Sequence, residues 1–355
     1  MPDTTPAEDA APAEKPGRAS RNGLDLLRVR EIVTGRWFVK IAFLVLFVIS
    51  CVQLFRFAAW AQGTGPFVHR PESPAGLLPI GHFMSLFAWL RGGGWDVLLP
   101  AGPVIILGAF ATSILLRRGF CGWICPVGTV WEGFSAAGRR MFGRNFRLPG
   151  WLDMTGRVLK FVHGAAFVAL LVTLTMSTAV GFRTLPFMWI ADLKILNIMI
   201  QPIYLLVVVI VGVVSALIGP VWCRYVCPLG GLYAAAGALS PTSVTRDEDT
   251  CIQCGKCEKV CHAFCRPNAV HTVRNTECDG CMTCVKNCPV DGCLEAKALG
   301  RARIAPWVWP LLVVGLWLAI FGVAKVTGNW DSRVPLDGFQ SAITSGMLDR
   351  PSGPQ

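Results

Sequence analysis

Residues Cys251 to Cys261 read C-I-Q-C-G-K-C-E-K-V-C, and Cys278 to Pro289 read C-D-G-C-M-T-C-V-K-N-C-P. Each run is C-x2-C-x2-C-x3-C. Three thiolates so closely spaced wrap one face of a [4Fe-4S] cube, and the short turn leaves no room for the fourth cysteine of the run on the same cube. The fourth ligand therefore crosses over. Cys251, Cys254, Cys257 and Cys288 form one predicted ligand set, and Cys278, Cys281, Cys284 and Cys261 the other. Zinc modules pair their cysteines two and two across a long spacer, which this pattern does not do. Cys261 is followed by His262 where the second run has Pro289, and Cys265 lies four residues on. His262 and Cys265 are competing donors for that position; Cys261 keeps the spacing intact.

Around these runs the chain is too apolar for a soluble protein: 53% of its 355 residues are hydrophobic and 15% charged, with mean hydropathy +0.51. Fifteen cysteines would suggest disulfides in a short secreted chain, but ten lie between 251 and 293 at ligand spacing, so metal is favoured over disulfide, in a reducing compartment. A net charge of +11 raises the question of nucleic acid. The Lys and Arg residues cluster beside apolar runs without a recognition motif, so the positive-inside rule accounts for them and nucleic acid is not an expected partner. The 45-residue cysteine segment resembles the bacterial two-cluster ferredoxin module. The expected fold class is an α-helical integral membrane protein of about five transmembrane helices with an inserted cytoplasmic α+β module of that type.

In chain order, residues 1–36 form a basic cytoplasmic N-terminus whose first twenty residues lack apolar periodicity and are expected to be disordered. Trp37 to Trp60 is the first span; Ala59-Trp60-Ala61 imitates a signal-peptidase site, but the preceding polar stretch is too long, so no cleavage is expected. Residues 61–94 are an external loop, with Gly81 to Leu90 expected on the membrane surface. Trp95 to Leu116 is the second span, and Arg117, Arg118, Arg139, Arg140, Arg144 and Arg147 mark the loop behind it as cytoplasmic. Val158 to Val180, Pro202 to Ile218 and Pro306 to Val326 are the remaining spans. The expected domains are residues 37–240 in a four-helix membrane domain, 241–300 in the ferredoxin module, 306–327 in a fifth helix, and 328–355 in a periplasmic tail whose last ten residues are disordered.

A second motif occurs twice: F-C-G-W-I-C-P-V-G over 120–128 and W-C-R-Y-V-C-P-L-G over 222–230. Each follows the predicted cytoplasmic end of a span, so the two segments read as parallel halves of a repeat. Proline disfavours helix for the cysteine before it and suits the first position of a new one. Cys125 and Cys227 should thus sit at helix N-termini, where the dipole and Arg117, Arg118 and Arg224 favour thiolate. Cys121, Cys125, Cys223 and Cys227 are a candidate set for a third cluster or another soft-metal centre. Reversible dithiol exchange and plain burial are the other readings.

Paired C-x3-C-P motifs behind transmembrane helices, followed by a two-cluster module, resemble the membrane polyferredoxins typified by NapH and the carboxyl-terminal half of NosR; CcoG shares part of the pattern. The resemblance covers roughly residues 35–300. It implies two [4Fe-4S] clusters on the eight ferredoxin cysteines, a role for the four C-x3-C-P cysteines, and electron transfer linked to the quinone pool in a bacterial inner membrane. Redox subunits carrying iron-sulphur or cytochrome centres are then the expected partners, as in an electron-transfer subunit of a quinol dehydrogenase-type complex. The fifth span and its tail depart from the four-span pattern. The competing functions are a maturation factor that reduces or hands over metal through the C-x3-C-P thiols, and a redox sensor or scaffold.

Lesser signals are assigned to packing or position. His163 is read as a core or interfacial histidine, and His69 and His82 as residues of the first external loop open to a quinol head group. Arg56 is expected to snorkel, and Cys51, Cys265 and Cys293 to pack as small hydrophobes. Trp37, Trp60, Trp95, Trp307 and Trp309 fall at span ends, where aromatic belts place them. No catalytic residue is assigned.

Overall fold

A computed structural model describes residues 23–77 and 79–348, with side chains from 35 onward except at 77 and 176. The expected disorder of residues 1–20 lies outside the described residues, as do the last seven residues of the tail. The chain runs through α1 (Gly23–Ala61), α2 (Pro79–Leu90), α3 (Ala101–Leu116), a π-helical turn Phe120–Ile124 and α4 (Pro126–Phe142). It continues through α5 (Gly150–Thr173), α6 (Met176–Arg183), α7 (Pro186–Trp189), α8 (Ala191–Met199), α9 (Pro202–Ile218), a second π-helical turn Trp222–Val226 and α10 (Pro228–Ala238). A cysteine-bearing module follows: β1 (Thr242–Arg246), α11 (Lys256–Lys259), β2 (Thr272–Val273), α12 (Thr283–Lys286), β3 (Leu294–Ala298) and β4 (Ala302–Ile304). The described chain closes with α13 (Val308–Val326) and α14 (Leu336–Thr344).

Among the described residues three helices are long and apolar enough to cross a membrane: Gly35–Ala61 of α1, α5 and α13. A fourth crossing results if α8 and α9, bent by 72° at their junction, act as one broken span. The bend has a local cause. Pro202 opens α9, and Gln201 before it is extended at φ −67, ψ 145, as a residue preceding proline prefers. The predicted second span is helical only over the 16 residues of α3, about 24 Å at 1.5 Å per residue against roughly 30 Å of hydrocarbon. The third span begins earlier than predicted, at Gly150, and ends at Thr173, where Leu174 turns extended and Thr175 caps α6.

The two halves of the repeat interlock: α4 packs on α9, and α10 packs on α3. Each helix behind a motif thus lies against the apolar helix of the other half. α3 is buried along most of its length, whereas α9 presents Leu205, Leu206, Val209 and Val213 outward. The module's sheet has strand order β2-β1-β3-β4, every pair antiparallel, with Val244 opposite both Val273 and Ala296. Its inner face shares one core with Leu116 of α3 and Trp309 and Val313 of α13.

Three expectations are corrected here. α2 does not lie free at a surface: His82, Phe83, Met84, Leu86 and Ala88 are buried, and α2 packs on α3 and α6. The His82 ring lies so close to Gly102 that a Cβ there would sit 2.1 Å from it. His82 is therefore enclosed and does not face a quinol head group. Nor is the segment after α13 a free tail. Ser332 N donates to Glu72 (3.1 Å), Arg333 N to the Leu98 carbonyl (3.2 Å), and Phe339, Ala342 and Ile343 are buried against Leu54 and Phe57 of α1. Replacing Ile343 by valine should cost about 1 kcal/mol, read as faster proteolysis within 328–348. Last, Trp309 belongs to no aromatic belt: it is 0% exposed, in the core beneath the cysteine module.

Candidate metal centres

Within both cysteine runs the backbone takes the same special path. Gln253 (φ 53) and Gly280 (φ 63) precede the second cysteine of each run, and Gly255 (φ 66) and Met282 (φ 57) follow it. Left-handed residues interleaved with right-handed ones turn successive N–H groups inward and make concavities that suit anions, iron-sulphur clusters among them. Gln253 and Met282 are not glycines, so each holds that conformation at a cost of about 1–2 kcal/mol. The two loops line two small cavities of near-equal size. Cys251, Cys254, Cys257 and Cys288 line the first, and Cys278, Cys281, Cys284 and Cys261 the second. The fold thus brings together each predicted set, crossing cysteine included, and the soft donors fit a thiolate-bound cluster. Each cavity also contains a fifth cysteine, Cys293 in the first and Cys265 in the second.

The module is fastened to the helices by buried polar contacts. Arg117, left-handed at the end of α3, donates to the carbonyls of Thr242 (3.0 Å) and Val273 (2.6 Å). Arg118 donates to the Thr276 carbonyl, and Lys160 of α5 pairs with Glu277 at 2.5 Å. Arg224 donates to the Ala263 carbonyl at 2.7 Å and to Asp153. Trp123, inside the first C-x3-C-P, is 1% exposed and donates its indole N–H to the Gly280 carbonyl, between Cys278 and Cys281. Beside it a Cβ on Gly122 would fall 2.5 Å from the Asp279 carbonyl oxygen, so only glycine fits that contact. The first C-x3-C-P turn therefore abuts the second ligand loop directly.

An ionic cluster lies alongside. Arg36 and Lys40 of α1 both donate to Glu132 of α4, and His262 lies between Glu132 and Asp279, its Nε2 2.9 Å from Asp279. Burial opposes a charged His262, but the Glu132 and Asp279 carboxylates outweigh it and hold its pKa well above the ordinary value. Burial likewise opposes an ionised Asp279, yet His262 and Arg36 hold its carboxyl far below the carboxylate range. Paired in this way, His262 is an ion-pair residue and does not line either cavity.

The repeated motif folds twice in the same way. Cys125 N bonds the Phe120 carbonyl (2.9 Å) and Cys227 N the Trp222 carbonyl (2.8 Å), closing the two π-helical turns. As predicted, Cys125 and Cys227 are helix N-caps, and their sulphurs accept from Gly128 N (3.4 Å) and Gly230 N (3.2 Å). The four sulphurs are near enough to act on one another: Cys223 experiences Cys227, Cys125 and Cys121. Thiolate character is not what results. Burial raises the pKa of all four thiols, Cys125 to about 12, and outweighs the helix N-terminus and the nearby cations. Arg118 acts on Cys121 and Cys223, and its buried Nε has no partner. Four soft donors beside the buried Arg118 guanidinium have the chemistry that a soft-metal centre needs.

Of the lesser candidates, His163 is exposed and Cys51 packs half-buried beside the Leu54 core. Sequence reasoning missed Trp123, Glu132, Lys160, Glu277 and Asp279. Glu132 carried a usable signal, being the only acid between Asp96 and Asp153.

A protein family described as a 4Fe-4S binding domain matches residues 98–149 and 200–243, the two halves that carry the C-x3-C-P turns. YccM of Escherichia coli (strain K12), a candidate electron transport protein, is 34% identical over 285 residues, covering 78% of this chain and 80% of YccM. The regulatory protein NosR of Stutzerimonas stutzeri is 26% identical over 62% of this chain, which spans 32% of NosR. The ferredoxin-type protein NapH of Escherichia coli (strain K12) is 25% identical over 54% of this chain and 68% of its own. No solved structure matches. The extent of the likeness to YccM, with the paired turns and the two cysteine runs in the same order as the motifs that mark the group, places this chain among the membrane polyferredoxins, to which it belongs.

Proposed function

We propose that this protein passes single electrons between the quinone pool and a redox partner complex of a bacterial respiratory chain. One [4Fe-4S] cluster is held by Cys251, Cys254, Cys257 and Cys288, a second by Cys278, Cys281, Cys284 and Cys261, and a third metal centre by Cys121, Cys125, Cys223 and Cys227. The reading rests on one observation above the rest: each cavity is lined by one predicted set of four, with the crossing cysteine in place. The clusters, when bound, supply one-electron redox chemistry. The chain's own residues exclude water and set the surrounding charge. Arg36 and Lys286 approach the Trp123 ring at 5.9 and 5.8 Å; positive charge near the second ligand loop favours the reduced form there. Trp123 and Gly122 hold the first C-x3-C-P turn against that loop, so the third centre and the second cluster are neighbours.

The topology that goes with this function has five spans, counting α3 and the bent α8–α9 pair. The N-terminus and the module lie in the cytoplasm and the segment after α13 in the periplasm. Arg139, Arg140, Arg144 and Arg147 follow α3 in the chain, and Arg147 pairs with Glu258 of the module at 2.8 Å, which supports a cytoplasmic module under the positive-inside rule.

Anaerobically purified protein should contain roughly eight iron atoms per chain for two clusters, or twelve with the third centre. Adding a short-chain quinol should bleach its visible absorption and generate EPR signals of reduced clusters. Colourless protein containing zinc would end this reading, and iron-replete protein inert to quinol would end its quinone part.

A further inference from the structure

We infer that Cys265 and Cys293 are reserve iron ligands, one in each cavity, placed to take over from the crossing fourth ligand. The inference rests on the two-cluster reading and goes beyond it. A cubane cluster takes four thiolates, yet each cavity has five sulphurs at its wall. The fifth is equivalently placed in both. Cys265 N donates to Cys261 Sγ at 3.3 Å and shares the cavity wall with Cys278, and Cys293 shares its own with Cys288 and Cys251. In each case the spare cysteine lines the same cavity as the crossing ligand and the first cysteine of the run that supplies the other three. Both are buried, at 7% and 2% exposure, and each sulphur also approaches a carbonyl at 3.7 Å, that of Ala263 or of Asp247.

Packing alone would ask only for a small apolar residue, with no need for matching placement between two sulphurs at two separate sites. The chain also holds Cys265 there by unusual means. Phe264 (φ 54) and Arg266 (φ 47) on either side are both left-handed, a conformation that non-glycine residues adopt rarely. Phe264 is clamped between the guanidiniums of Arg147 (5.4 Å) and Arg224 (5.1 Å), and Arg224 also bonds the Ala263 carbonyl. Cys293 is fixed by the bond from Asp247 N to its own carbonyl at 2.8 Å. Exchange at either site is redox-neutral. With a cluster bound, the iron–sulphur bond to Cys261 would break as the bond to Cys265 forms, and the proton of the Cys265 thiol would pass to the freed Cys261 sulphur; Cys293 and Cys288 stand in the same relation.

The test compares iron and labile sulphide per full-length chain, with EPR of the reduced protein, across single and double variants. Cys261→Ala and Cys288→Ala should each retain all the iron of the wild type while the EPR signal of one cluster changes shape. Cys265→Ala and Cys293→Ala should also retain it. Cys261→Ala/Cys265→Ala and Cys288→Ala/Cys293→Ala should each lose one cluster's iron, with the surviving cluster's signal reporting an intact fold. Loss of one cluster's iron from Cys261→Ala and from Cys288→Ala alone, against an iron-replete wild type, would overturn the inference and leave the two-cluster reading standing. Loss from Cys265→Ala while Cys261→Ala stays replete would also overturn it, since Cys265 would then be the resident ligand. A wild type without iron would overturn both.

Discussion

Replacing Glu132 by alanine should destabilise the protein by about 3–5 kcal/mol, the cost of leaving buried charge without its partner. Glu132 takes both ends of its carboxylate to Arg36, at 2.6 and 2.9 Å, and one of them also to Lys40 at 2.5 Å. Asp279 lies 3.7 Å from Arg36 and offers it partial cover. Among the described residues Lys40 has no second acidic partner, and its side chain is 0% exposed. An exposed pair of the same geometry would contribute about 0–1 kcal/mol; burial is what enlarges the effect. His262 would lose one of the two carboxylates that keep it charged. Denaturant unfolding in detergent, followed by backbone circular dichroism, measures the loss. The double variant Lys40→Met/Glu132→Gln should cost less than its two single changes added together, by about 0.5–3 kcal/mol of coupling. A Glu132→Ala protein within 1 kcal/mol of the wild type would mean that water reaches the cluster.

The second large effect reverses an ordinary expectation. Glycine to alanine inside a helix gains about 1 kcal/mol from backbone propensity. At Gly138 of α4 the sign should be opposite, because a Cβ there would lie 1.7 Å from the Ala216 carbonyl oxygen of α9. That carbonyl cannot easily give way. It belongs to helix backbone, and Asn145 Nδ2 already donates to it at 2.9 Å. Overpacking costs about 1–3 kcal/mol or more, so Gly138→Ala should be destabilised by a net ~2 kcal/mol. Gly133 on the same helix is the control: nothing lies within 4 Å of a Cβ there, and Gly133→Ala should gain the ordinary ~0.5–1 kcal/mol. Equal effects at the two positions would refute the close α4–α9 crossing.

Much of this molecule follows from local chemistry and was therefore legible before any coordinates. Cysteine spacing pointed to the two sets of four that line the cavities, because three closely spaced thiolates can reach only one cluster face, whatever surrounds them. Proline after Cys125 and Cys227 defined two helix starts, since that constraint acts within one or two residues. Runs of apolar residues marked α1, α9 and α13 for the same reason. Only the tertiary structure decided the rest, because burial is a property of neighbours distant in sequence. The electrostatics of the C-x3-C-P thiols turned on it: desolvation outweighed the helix dipole and the arginines, and Arg117 and Arg224 were spent on carbonyls of the cysteine module. So did the enclosure of His82, the docking of α14, the pairing of Glu132 with charges 92 and 96 residues away, and the gathering of a fifth sulphur into each cavity. Spacing names the groups a chain can offer to a metal; which of them meet, and how far water is kept from them, depends on packing between segments that no local pattern connects.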